Sequence, residues 1–555
     1  MKANRNRTII ISTAATAMLG LAIISLAGCS SGESPSAQVT QGGSAALQGP
    51  IVFVNNTGDR SLTTVALRGD SGNAKLGDIS AATFGDIALG DMQFSSGEWV
   101  FVNVSGTNNG ANNGQNVGTK VATIDPINSA TPVHVTNLTT GTRPVHIYRD
   151  TTDGEVIWSM NDTVTVNTTT PGDDTVNCNV ATRPGGPVEG GSVTIIHNSH
   201  QGPGAHPPEV EATVCVLADG HKVTAFSQPT AANAAILKRA FVSSETAGEV
   251  AVVDNEPGSP TKWQMIRRID LCDPAREATQ TSPATCNSEN PTGATAFTPN
   301  NARPHGIRWS KLTGKVYSIQ EGYGEIAEID PTTFTVTPIF TLTGTPYTSF
   351  GISPDGRFLL LRGQTTAPDP QATKLGVLDL SVTPAVRTDF TIAALDGTSP
   401  GSFKFSPDGK RFYILAGTAA TATKRNVLFA FDSSKLVPVA PATVPDLTLP
   451  LNGEIALLQT GGHSIDVLAE GASEAGEAKY IVVSNTGTPG TVSIVNATTN
   501  TRTQDVSVGP APGAVMVYYP GAASAGNQAT SSLTGGQKAK PALLPERLDD
   551  HGMPE

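Results

Sequence analysis

Tyr480-Ile481-Val482-Val483-Ser484-Asn485, followed by Thr491-Val492-Ser493-Ile494-Val495-Asn496 and then Val506-Ser507-Val508-Gly509, decides the fold. Each stretch is too short for a helix, is rich in β-branched residues, and stops at a small polar residue or glycine, which is the pattern of successive strands. The apolar run recurs eight times, starting near Val52, Val100, Ile157, Phe241, Val316, Phe358, Phe412 and Ile481. Several copies are preceded by a glycine turn, at Ser96-Gly97, Asp153-Gly154, Thr313-Gly314, Asp355-Gly356 and Asp408-Gly409. Two of these turns are the full Ser-Pro-Asp-Gly, in which Pro presets φ, Asp caps the turn and Gly supplies positive φ. The following strand often closes on Asp, as at Asp125, Asp254, Asp330, Asp379 and Asp432. An acid recurring once per repeat reads as turn capping rather than chemistry.

Strand, hairpin, strand, turn, strand, strand is the blade of a β-propeller. The chain is therefore expected to be all-β, a closed ring of four-stranded antiparallel blades, with eight blades and seven as the alternative. Ile51-Val52-Phe53-Val54 looks like a second strand without a first, and Ala511 to Tyr518 like a first strand without followers. Pairing them would complete the first blade and leave no open sheet edge. The propeller is expected over 50–520, with 161–240 its most irregular part.

Composition fits that reading. Charged residues are 15% of the 555, no long amphipathic helix is present, and the net charge is −12. The first 28 residues carry Lys2, Arg5 and Arg7 and no acid, so without them 33 basic residues face 48 acidic ones, a net of −15. An acidic surface repels phosphate backbones, which argues against a nucleic-acid partner.

Behind the basic head, Thr8 to Leu26 is an apolar run that ends in Leu26-Ala27-Gly28-Cys29. That is the layout of a secretory signal, and it resembles the lipobox of bacterial lipoproteins. The resemblance implies a signal over 1–28, an acylated Cys29 and a membrane as partner through that lipid. Ser30, rather than Asp, follows the cysteine, which by resemblance to Gram-negative sorting signals implies the outer membrane. Residues 29–49 form a Ser/Gly/Ala/Gln-rich tether, and 521–555 a Gly/Ala/Ser-rich and then Lys/Pro-mixed tail expected to be disordered. Beyond Cys29 there are four cysteines, an even number that suits two disulfides in an exported protein. Proximity in sequence favours Cys178–Cys215 and Cys272–Cys286, one of three possible pairings. No Cys-x-x-Cys-His is present, which leaves no covalent c-type haem.

Tyr480 to Asn485, Thr491 to Asn496 and Thr498-Thr499-Asn500 resemble the YVTN family of propeller repeats, and Arg303-Pro304-His305-Gly306-Ile307 resembles first strands of that family and of cytochrome d1-type propellers. The resemblance covers roughly 50–520 and implies fold, since the family includes lactonase-like proteins, surface proteins and haem-binding propellers.

In such a ring the first strand of each blade lines the channel. Long insertions at 105–120, 161–191, 274–302, 364–374 and 418–424 fall in connections that all emerge where first strands begin, and loops grouped on a rigid scaffold are where binding surfaces are built. His305 and His463 stand at matching offsets before a first strand, and His146 one residue off. Together with Arg303 they are the channel-mouth candidates. Imidazoles around an axis suit a divalent metal or a haem iron, while the bland reading is that each hydrogen-bonds to neighbouring backbone and packs its blade. A second group, His197, His200 and His206 with Glu209, has metal-ligand spacing but lies among Gly and Pro in a connection assigned to the opposite face, where polar loop decoration accounts for it. Gly-x-Ser-x-Gly, His-Glu-x-x-His, phosphate-loop and Ca²⁺-loop motifs are absent. The expectation is a lipid-anchored binding or scaffold propeller at the cell envelope, with a lactonase-like hydrolase or a haem- or redox-metal-binding propeller as alternatives. Replacing Cys29 by Ala should shift the protein from the membrane to the soluble fraction, and mass analysis of the mature N-terminal peptide should show acyl chains only in the parent protein.

Overall fold

A computed structural model describes residues 47–519, apart from position 48 and stretches of loop, the longest being 107–116, 179–189, 199–206, 287–298, 364–372, 417–426, 437–446 and 470–475. Residues 1–46 and 520–555, which carry the expected signal, most of the expected tether and the expected tail, lie outside the described residues, as do the Ser96-Gly97 turn and the interior of most of the long insertions.

The strands form eight sheets of a propeller. Each has a first strand, then second and third strands, and an outer fourth strand, all joined antiparallel. Blade 2 runs Leu89–Ser95, Trp99–Gly106, Val117–Asp125, Val133–Thr139. Blade 3 runs Pro144–Arg149, Val156–Asn161, Ser192–His197, Glu209–Cys215, with an extra hairpin of Val166–Thr169 and Thr175–Asn177 between its second and third strands. Blades 4 to 7 begin at Thr224–Ser227, Pro304–Ser310, Tyr347–Ile352 and Pro400–Phe405, and blade 8 at Gly462–Ala469. The strands starting near the eight apolar positions read from sequence are the second strands, which sit between two partners and are buried almost throughout, as in Ile51–Asn56 and Phe358–Gly363. Fourth strands are half exposed, as in Ala74–Ile79.

Blade 1 is assembled from both ends of the chain. Ile51–Asn56 pairs with Ser61–Ala66 on one side and with Pro512–Tyr518 on the other, in the register Ile51↔Tyr518, Val52↔Val517 and Val54↔Val515. The ring therefore closes as the two orphan strands required, with eight blades rather than seven. Because first strands all run the same way, their starting ends, the second-to-third connections and the links between blades share one face, here called the mouth face. First-to-second and third-to-fourth connections share the far face. The insertions singled out in the sequence all belong to the mouth face.

The asparagine that ends three of the second strands has a specific task. Asn485 Nδ2 donates to Thr491 Oγ1 at 3.1 Å and Ser493 Oγ at 2.9 Å on the third strand, and Ser493 Oγ donates to Asp505 Oδ1 at 2.6 Å on the fourth. The same relay runs from Asn56 to Ser61 Oγ and Thr63 Oγ1, then from Thr63 to Asp78. Asn161 repeats its first step onto Ser192 and Thr194. All three Asn side chains are buried. They replace water for one another across the strands, which an apolar residue could not do.

The aspartates that close third strands are caps. Asp125, Asp254, Asp330, Asp379 and Asp432 each accept the backbone N–H two residues on, at 2.8–3.1 Å. Burial raises the Asp330 carboxyl, but Lys315 and the N–H groups of Thr333 and Thr332 outweigh it and hold the pKa at about 2. In both Ser-Pro-Asp-Gly turns the serine hydroxyl donates to the Asp and accepts the N–H five residues on, while Gly356 and Gly409 sit at φ 80° and 72°.

The disulfides are Cys178–Cys215, tying the extra hairpin to the outer strand of blade 3, and Cys272–Cys286, in the link from blade 4 to blade 5. That link is also organised by the buried Glu277, which accepts from Tyr323 Oη at 2.6 Å, Asn301 N and Nδ2 at 2.7 Å, and Ala284 N at 2.8 Å. Its ends are thus built structure rather than loose loop. Asn485→Ala should lower unfolding free energy by ~1–3 kcal/mol, because the Thr491 and Ser493 hydroxyls lose their donor inside the blade; an equilibrium denaturation curve unchanged within error would remove the relay from the account.

Candidate functional site

The channel mouth across blades 2 to 6 holds a row of three imidazoles. His146 is the third residue of the first strand of blade 3, His221 lies just before that of blade 4, and His305 is the second residue of that of blade 5. The rings of His146 and His221 are 4.7 Å apart, and those of His221 and His305 5.4 Å. His221 is therefore the middle member.

Each imidazole has an acceptor at Nδ1, and each acceptor comes from a neighbouring blade. His146 Nδ1 is 2.5 Å from Asp91 Oδ2, on the first strand of blade 2. His221 Nδ1 is 3.5 Å from Asp162 Oδ2, just past the second strand of blade 3. His305 Nδ1 is 3.3 Å from the carbonyl oxygen of Thr348, on the first strand of blade 6. A carboxylate or a carbonyl only accepts, so the hydrogen sits on Nδ1 in all three rings, and the lone pair of the neutral ring sits on Nε2. Burial pushes the His221 pKa below its usual value. Asp162 opposes that, and the neighbouring His146 and His305 add to it. Neutral imidazoles this close to one another suit a cation or a shared proton, not an anion.

Among the described residues, no group of three or more His, Cys, Asp or Glu side chains is placed so as to hold a metal ion. The rings make a row rather than a closed shell. Their chemistry nevertheless matches what metal-binding imidazoles need, since Nδ1 held by a carboxylate or carbonyl fixes tautomer and orientation. Each of these contacts also bridges two blades, so it contributes to holding the ring together.

The other sequence candidates separate in space. His463 lies in the first strand of blade 8, four blades round the ring from blade 4, and its side chain is outside the described residues. Arg303 ends its reach on Glu245 at 2.5 Å and Glu321 at 3.4 Å, so its charge is spent between blades 4 and 5. His197 ends the third strand of blade 3, 3.9 Å from Glu211, on the far face as expected. His200 and His206 are outside the described residues, and Glu209 begins the fourth strand. Across the channel, Lys404 faces Asp466 at 3.5 Å, and Asp466 also accepts Val517 N at 2.7 Å.

Sequence reasoning missed His221, Asp91 and Asp162. His221 follows Asp219-Gly220 in the irregular stretch where the first strand of blade 4 is only four residues long. Its phase, just ahead of a first strand, was the available signal. Nothing local marks Asp91 or Asp162 as partners of residues 55 and 59 positions away.

No family model matches the chain, and no curated protein is significantly similar to it. Solved structures with similar shape include apo AztD from Citrobacter koseri, 14% identical over 85% of this chain and 98% of that one with a TM-score of 0.46. The dihydro-heme d1 dehydrogenase NirN bound to DHE is 11% identical over 85% and 76%, with a TM-score of 0.48. A putative 6-phosphogluconolactonase from Bacteroides uniformis is 13% identical over 76% and 99%, with a TM-score of 0.43. Such distant likenesses do not bear on activity, and the strand pairing itself establishes that the chain is an eight-bladed β-propeller.

A histidine whose pKa is lowered on folding takes up its proton more readily when unfolded. Its neutral form supports the fold above the ordinary value near 6.5, and that support is lost as pH falls below it towards the folded pKa. His221→Gln should therefore flatten the decline in unfolding free energy between about pH 7 and pH 5, measured by denaturant titration at each pH. An identical slope in parent and variant would assign the acid sensitivity to other groups.

Proposed function

We propose that this chain is a binding propeller of the cell envelope, held to the membrane by the acylated Cys29, whose ligand is a divalent transition-metal ion taken at the row of His146, His221 and His305. One observation carries the reading. The three imidazoles lie in a row, His146 edge-on to His221 at 4.7 Å and His221 tilted against His305 at 5.4 Å, and each has Nδ1 turned to an acceptor of another blade. Imidazole nitrogen is a preferred donor for Zn²⁺, Cu²⁺ and Ni²⁺. When bound, the ion would be a Lewis acid held by the protein.

The residues have distinct parts. Burial and the neighbouring imidazoles lower the His221 pKa, which favours the neutral ring that can offer a lone pair. Asp91 and Asp162 hold His146 and His221 in one tautomer and add negative charge behind the rings, which favours a cation. Thr348 does the same for His305 through its carbonyl. A binding role also suits the absence from the sequence of an activated-nucleophile motif.

The test is metal binding by the tether-free protein in metal-free buffer, with Zn²⁺, Cu²⁺ and Ni²⁺ competed against a chromogenic chelator. One ion per chain is expected, released as pH drops through the histidine range. His221→Ala should weaken binding at least tenfold and Asp91→Asn about 10–100-fold, with the folded state confirmed by thermal unfolding. No retained ion, or equal affinity in a His146/His221/His305 triple-Ala variant that remains folded, overturns the proposal.

A further inference from the structure

Both ends of the described chain leave the propeller from the same face. Ile51–Asn56 is a second strand, so it starts at the far face, where Leu67 N donates to Pro50 O at 2.9 Å. Just before it, Leu47 N donates at 3.2 Å to the carbonyl oxygen of Ile127, in the third-to-fourth connection of blade 2, again on the far face. Pro512–Tyr518 is a first strand and ends there too, with Tyr519 Oη donating to Val467 O at 2.7 Å. The tether thus meets the ring on the side opposite the imidazole row.

A second observation points the same way. Six large hydrophobic side chains are exposed among the described residues: Val133, Val135, Leu237, Leu312, Val382 and Leu451. Five of them lie on the far face. Val133 opens the outer strand of blade 2 opposite Asp125, close to where Leu47 docks on Ile127. Leu237 and Leu312 are in the first-to-second connections of blades 4 and 5. Val382 and Leu451 are in the third-to-fourth connections of blades 6 and 7. Lys311 stands beside Leu312, and Lys262 lies 4.0 Å over the part-exposed ring of Trp263 in another far-face connection. Apolar tips mixed with lysine and tryptophan are the chemistry of a membrane–water interface. The aspartates of this face do not oppose it fully, since those closing third strands are committed to turn N–H groups.

Length favours one orientation. Seventeen residues lie between Cys29 and Leu47, and a flexible chain of that length has a root-mean-square span of roughly 20–25 Å. A strand of six or seven residues is itself about 20 Å deep. The tether reaches the far face directly, whereas turning the mouth to the membrane would require it to run the depth of a blade and over the rim.

We infer that the far face is a lipid-contact surface, on which the anchored propeller rests with Leu237, Leu312, Val382 and Leu451 in the headgroup region and the imidazole row turned to the aqueous side. This rests on the acylation of Cys29, and not on metal binding. The test uses the full mature, acylated protein reconstituted on phosphatidylethanolamine–phosphatidylglycerol vesicles. Leu312→Cys, Val382→Cys and, on the mouth face, Ala278→Cys variants each carry an environment-sensitive fluorophore, the four other cysteines of the propeller being paired. Emission at Leu312 and Val382 should shift to the blue on vesicle binding and be quenched by a lipid-phase quencher, while that at Ala278 stays aqueous. Equal aqueous emission at all three positions on floated vesicles, or a shift at Ala278 alone, overturns the orientation. Absence of acyl chains on Cys29, or failure to float, overturns the anchor and the orientation with it. Protection of Leu312 and Val382 without vesicles overturns the lipid contact: it assigns the face to a second copy if the protein sediments as a dimer, or to the tail if deleting 521–555 abolishes it.

Discussion

Everything in this ring depends on one antiparallel pairing, that of Ile51–Asn56 with Pro512–Tyr518. It joins segments more than 450 residues apart, as the bond from Thr57 Oγ1 to Ala511 O across 454 positions shows. Without it, blade 1 would present an unpaired second strand and blades 8 and 2 would each lose a neighbour. The closing strand is held from both sides. Val515 N and Val517 N donate to Ser464 and Asp466 of blade 8, while Tyr518 and Tyr519 set their rings edge-on to Phe94 of blade 2 at 5.6 and 5.8 Å. Val515 and Val517 are buried almost completely, and burying one such side chain contributes ~1.5–3 kcal/mol. Closure therefore converts many modest contacts into a ring with no end blade and no free edge.

The imidazole row follows from the same geometry. First strands converge on the axis, so residues near their starting ends meet those of adjacent blades, although no two of them are close in sequence. Asp91, His146, His221, His305 and Thr348 make one contact chain across five consecutive blades. The chain staples the mouth together and at the same time fixes the orientation of three imidazoles. Structural and binding roles are not alternatives here, because orienting an imidazole through Nδ1 is what makes its Nε2 useful.

Much of the fold was legible because its signals are local. A buried second strand is an unbroken apolar run, a tight hairpin needs Gly356 or Gly409 at positive φ, and a third strand needs an acid such as Asp330 to receive the turn N–H groups. The phase of those signals also placed His146, His305 and the insertions on one face. The seven-blade alternative fails because Thr224–Ser227, although only four residues long, completes a full blade within the stretch where the pattern blurs. The site was legible only in part. His305 and His146 stood out by offset, whereas His221 sat outside any recognisable repeat.

The sequence by itself determined the repeat, because its strands and turns are written in neighbouring residues, and it gave the two orphan strands whose pairing closes the ring; proximity favoured one of the three cysteine pairings, and the address at Cys29 stands as an expectation. Tertiary structure decided which histidines meet. Offset along a strand says how far down the channel a side chain sits, not which blades stand beside it, so His463 matched His305 in sequence yet belongs to a blade three places round the ring. The tertiary fold also decided what the acids do: Asp162 and Asp91 reach across blade boundaries to orient imidazoles, while Asp330 and its equivalents cap their own turns. The distinction rests on burial and on distance through space, and those are set only once the ring has closed.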